Sequence, residues 1–206
     1  MSHSSQVQSF LERIVALPKD PGVSLNDALR PSLAYEAELR RLFATDRDSA
    51  QLDDPYVGLV DVFAATPDIR LTRARLVRDD EDLSAEYVMP LSEDRRRKEG
   101  SPSMADSLDE FKRNWAVFTE GSLSQLIDWN NVIAAGGSVL ACLSPLPANV
   151  QTSRRNIRKY FHSQAFPTSD IDLFLWGLSP EEVAIDVVLS WILLPLTSIF
   201  HRQKSR

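Results

Sequence analysis

The chain has 206 residues, 43% of them hydrophobic and 25% charged, with a net charge of −6. That length and balance fit one soluble globular domain, or one domain with an appended segment. Cys142 is the sole cysteine, which excludes an internal disulfide and a zinc–thiolate cluster.

The first residues, Met1 to Gln6, are polar. They lack the basic and apolar regions of a secretory signal, so the expected compartment is intracellular, cytoplasm or nucleus, and not secreted. Val7, Phe10, Leu11, Ile14 and Val15 recur at helical spacing, and the spacing predicts a helix over 7–17. Pro18 to Gly22 stops it. Ser24 is placed to cap a short helix over 25–29. Pro31 suits the first turn of a second helix reaching about Ala44, with Leu33, Ala37, Leu39, Leu42 and Phe43 as its apolar stripe. Residues 46–55 read as a polar loop and 56–64 as a short strand or extended segment.

Residues 77–104 are dense in charge and read as a surface loop. Arg95-Arg96-Arg97-Lys98 within it could contact nucleic acid or act as a localisation signal, but such a run is more often a solvated loop, which is the favoured reading. Ser107 caps a predicted helix over 108–118, with Leu108, Phe111, Trp115 and Phe118 on one face. Gly121 breaks it, and Leu123, Leu126 and Ile127 suggest a shorter helix. Residues 1–128 are thus expected to form a helical N-terminal region.

Residues 129–182 hold the stretch that bears chemistry. Residues 129–206 carry 7 basic and 5 acidic side chains, net +2, which leaves net −8 on residues 1–128. The later part is therefore the more suited to a polyanion. Asn131-Val-Ile-Ala-Ala-Gly-Gly-Ser-Val-Leu140 reads as a strand, a glycine turn and a helix. Such a turn presents backbone N–H groups and a positive dipole end, which suits a phosphate. Pro145 and Pro147 end that helix. In Ser153 to His162, Arg154, Arg155, Arg158 and Lys159 fall within two helical turns around Ile157, Tyr160 and Phe161. A basic face of this kind could lean over a triphosphate, or be the solvated side of an amphipathic helix. Ser169-Asp-Ile-Asp-Leu-Phe-Leu-Trp-Gly177 reads as a strand with Asp170 and Asp172 on one face, since side chains two apart point the same way. Paired carboxylates repel, and a hard divalent cation between them relieves the repulsion. A phosphate cradle beside such a pair is the layout of metal-assisted phosphoryl transfer.

Gly136-Gly137-Ser138 followed by Asp170-Ile171-Asp172 resembles the Gly-Ser then Asp-x-Asp signature of the nucleotidyltransferase superfamily, with its DNA polymerase β-like fold. The resemblance implies that Gly136, Gly137 and Ser138 hold nucleotide phosphates and that Asp170 and Asp172 hold Mg²⁺. It also implies a third carboxylate on a later strand. The span from Leu25 to Ile185 is similar to a group of uncharacterised fungal proteins, some of them named as ankyrin-repeat proteins. Pro31 to Phe43, Leu52 to Pro55 and Asp170 to Leu178 carry that similarity, and no ankyrin repeat is visible. Ser138 and Asp170 lie 32 positions apart, where the family gap is roughly ten residues. Nothing after Asp172 looks like a further carboxylate-bearing strand.

At the C-terminal side, Ser179 and Pro180 open a helix with Glu181 and Glu182 in its first turn. Residues 183–200 contain one charge, Asp186, and are followed by the basic tail 201–206. A membrane span needs about 20 apolar residues, and Pro195 interrupts this one. The stretch could pack on the sheet, anchor the chain to a membrane, or be a foreign terminus grafted by a splicing or gene-model error onto a truncated family member. The fading of the resemblance after Ile185 favours the third as its origin, and a poorly buried apolar helix as its behaviour.

The expectation is an α/β (α+β) chain whose N-terminal helices pack on a small nucleotidyltransferase-like sheet, incomplete at its C-terminal side. Its expected function is a degenerate nucleotide- and Mg²⁺-binding or interaction module with little catalysis. The runner-up is an active Mg²⁺-dependent nucleotidyltransferase that moves a nucleotidyl group from an NTP to a protein or RNA acceptor. A purely structural glycine turn with surface aspartates is the third reading.

Overall fold

The computed structural model describes residues 5–20, 22–76, 96–123, 126 and 129–181. The chain divides into two compact units, 1–106 and 107–206.

In the first unit, α1 (Ser5–Val15) buries Val7 and Leu11, four apart on one face, against Ala65, with Val60 and Ile69 alongside. The α2 helix (Leu25–Thr45) is capped by the Ser24 hydroxyl, which accepts from the Asp27 N–H. It runs unbroken through Pro31, so the two helices expected over 25–44 are one. Proline removes a single N–H here, the one that would bond to the Asp27 carbonyl, and Arg13 of α1 holds the adjoining turn by donating to the Ser32 hydroxyl from Nε and Nη2. The strand or extended segment expected over 56–64 is a pair of turns instead. The Asp54 carboxylate accepts from the Tyr56 N–H, Gly58 sits at φ +75°, and the Asp61 carboxylate accepts from the N–H groups of Phe63 and Ala64. Aspartates that bond backbone two and three residues on compete with strand formation. Of the expected charged loop, 77–95 lie outside the described residues. Residues 96–104 are irregular and tied to 70–74 through Gly100 N–H to Thr72 O and Ser103 N–H to Arg70 O.

The second unit is a mixed α+β assembly. Helix α3 (Leu108–Phe118) starts at Ser107, whose hydroxyl accepts from the Glu110 N–H, and ends before Glu120 and Gly121, both at positive φ. Strand β1 (Val132–Ala135) leads into α4 (Gly137–Leu143), followed by α5 (Arg154–Tyr160), a single π-helical turn (Phe161–Ala165) and strand β2 (Asp172–Leu175). The two strands pair antiparallel, Val132 opposite Leu175 and Ala135 opposite Asp172. The core joins Val117 and Phe118 of α3, Ala141 and Cys142 of α4, Leu146, Val150 and Phe161, with Ile171 packed against it. Phe118 meets Phe161 edge-on, ring centres 5.5 Å apart. The helix expected over 123–127 lies largely outside the described residues, as does the apolar stretch after Glu181. Among the described residues no helix is long and apolar enough to cross a membrane.

Candidate functional site

The site is built by the antiparallel register. Ala135 is the last residue of β1, and its partner Asp172 is the first of β2, so the aspartate faces the turn that follows β1. Gly136 caps α4 at φ +77°. A Cβ added to it would collide with Asp172 Oδ2 and lie 3.3 Å from Cγ. A Cβ on Gly137 would stand 2.6 Å from the Ser169 hydroxyl oxygen. Close approach therefore requires glycine at both positions, and at Gly136 the backbone angle requires it as well. Asn131 locks the other end of the pair: its Nδ2 donates to Trp176 O at 2.9 Å, and Trp176 N–H donates to Asn131 O at 3.0 Å.

Of the residues singled out from sequence, the fold gathers Gly136, Gly137, Ser138 and Asp172 at one strand end. Asp170 precedes β2 by two residues, and both it and Asp172 are exposed. Ser138 is turned inward. It is fully buried, and its hydroxyl donates to the Ala135 carbonyl at 3.3 Å. It shares a face with the equally buried Ala141 and Cys142, three and four residues on, so its side chain steadies the turn. The remaining donors at this turn are the backbone N–H groups of the first α4 turn, which have no intrahelical partner.

The α5 cations are engaged differently. Arg154 donates to the Ala116 carbonyl at 3.3 Å, and Arg158 pairs with Glu120 at 2.8 Å. Arg155, Arg158 and Lys159 line a groove with His162 and Ser163, and no residue of the glycine turn lines it. His162 Nε2 is buried 3.9 Å from the Glu120 carboxylate, its ring against Phe118.

A carboxylate beside a backbone turn, with a second carboxylate two residues before it in the chain, suits a hard, hydrated divalent ion held by few protein oxygens. Among the described residues no three of His, Cys, Asp and Glu converge into a fuller ligand set. Sequence reasoning missed Ser169, whose signal was its place directly before the aspartate pair. It also missed Asn114, a polar residue three from Phe111 and four from Phe118 on the inward face of α3. Asn114 is 3% exposed, and its Nδ2 donates to Cys142 O at 3.1 Å. No protein-family model matches the chain, and neither a curated protein nor a solved structure matches it.

Proposed function

We propose that residues 131–176 form a nucleotide- and metal-binding module of nucleotidyltransferase type. Asp170 and Asp172 hold a divalent ion of the magnesium class, and the N–H groups of the Gly136-Gly137-Ser138 turn take the phosphate side. One observation carries the reading: the register that seats the Asp172 carboxylate against Gly136. A phosphate drawn to the turn meets that negative charge, and a cation bridging the two anions makes the pair favourable. The ion thus makes phosphate binding and Asp172 mutually dependent.

The module transfers little. Two-metal chemistry holds its ions about 3.5–4 Å apart on several carboxylates. Past Asp172 the sequence offers Glu181, Glu182 and Asp186, all after Pro180. The test is calorimetry with ATP and Mg²⁺ or Mn²⁺ on the wild type and on Asp170→Ala/Asp172→Ala. The expected result is a metal-dependent heat of nucleotide binding that the double variant lacks. Equal heats for the two proteins would remove the metal reading. Robust label transfer from NTP to protein or RNA, lost in Asp172→Ala, would replace it with an active transferase.

A further inference from the structure

Among the described residues the sheet of the second unit has two strands. Two strands alone are marginal in water, and a further strand or a packed element makes such a sheet stable. Side chains alternate along a strand, so Asp172, Phe174 and Trp176 share one face with Ile133, the partner of Phe174. Ile171, on the other face, packs against the core, which turns Phe174 and Trp176 outward. Every residue of β2 is exposed. On the outward face Ile133 is 49% exposed, Phe174 57% and Trp176 38%. Three large apolar side chains in adjoining positions thus meet water, and a contiguous apolar face of this kind marks a docking surface.

The chain itself carries a cover for that face. The described residues end at Glu181, six positions after Leu175 closes β2. Residues 183–200, which lie outside them, hold a single charge, Asp186. Seven positions separate Trp176 from Val183, a tether that spans up to about 25 Å, whereas Phe174 and Trp176 stand about 7 Å apart along their strand. We infer that residues 183–200 dock on the outward face of β1 and β2, with their apolar side chains over Ile133, Phe174 and Trp176. A tether this short gives the stretch an effective concentration of about millimolar, so a second copy in dilute solution competes poorly for the face. A bilayer competes poorly for the stretch, which is shorter than the about 20 apolar residues of a span and contains Asp186 and Pro195. The contact needs neither metal nor nucleotide, so it stands or falls apart from the function proposed above.

The test is photocrosslinking of the full chain with p-benzoylphenylalanine at position 174, where the native ring is exposed. The same photophore at the position of the exposed Lys112 on α3 is the control. The expected result is a crosslink within one chain, mapped by mass spectrometry to residues 183–200, at a yield well above that of the control. Added phosphatidylcholine vesicles leave the yield unchanged. Leu189→Asp/Leu193→Asp lowers it to the control level, because a charge in an apolar contact must be stripped of water. A crosslinked dimer, capture of lipid, or a chain with no crosslink to 183–200 each overturns the proposal. So does a yield that the double variant leaves undiminished.

Discussion

Gly136 is where backbone and side-chain demands meet. At φ +77° an L-residue is strained by about 1–3 kcal/mol, and a methyl there also strikes the Asp172 carboxylate. Gly136→Ala is therefore expected to lower stability by more than strain alone. In an Asp172→Ala background the collision disappears, because the Asp172 Cβ lies at an ordinary 3.7 Å. Urea midpoints of the four proteins should give a coupling of roughly 1 kcal/mol or more, and additive losses would mean that the carboxylate is not seated on the turn. The glycine turn at 136 is legible in the sequence, and so is its association with the strand that Asp172 opens. The direction of Ser138 is not, because the resemblance points its hydroxyl at phosphate, yet Ser138, Ala141 and Cys142 share a helical face of small residues. The burial of that face against α3 depends on Asn114, 24 positions upstream of Ser138, and short-range pattern cannot supply it.

At the scale of elements, caps and apolar periodicity locate α1, α3, β1, α4 and α5 to within a few residues. The pattern fails where local polar chemistry or tertiary support outweighs it. Asp54 and Asp61 bend 56–64 into turns that the apolar run Tyr56 to Ala64 disguises. Pro31 reads as a helix start because its fixed φ suits one, yet α2 continues on both sides. The proline leaves the Asp27 carbonyl without its helical donor and crowds it with the ring. Pro31→Ala restores the donor, at the cost of a more flexible unfolded chain, worth up to about 1 kcal/mol. Interior proline costs a helix about 3 kcal/mol relative to alanine, so the net expectation is a gain of about 2 kcal/mol. A thermal melt that moves downward would show that α2 depends on the proline.

Across the whole molecule, the two units differ in what reports on them. All four tryptophans and the lone Cys142 lie after residue 106 in the sequence, and Trp115, Trp129, Trp176 and Cys142 are among the described residues of the second unit. Cys142 is fully buried, and burial pushes its thiol up to about 12, so both access and thiolate fraction protect it. Labelling of Cys142 by a thiol reagent along a urea series should rise together with the loss of native tryptophan fluorescence, since both follow opening of the same core. Labelling that precedes the fluorescence change would place a local opening at α4. The strand pairing has a further consequence, in time. Thirty-six residues separate Ala135 from Asp172, and closing a loop of that length costs about 3 kcal/mol of chain entropy beyond its constant part. A strand that must wait for α4 and α5 before meeting its partner forms late. On the ribosome, β1 emerges with its edge open and stays so until β2 is made. The Asp172 seat on Gly136 is thus among the last features to be completed, and chaperone demand during synthesis falls on this interval.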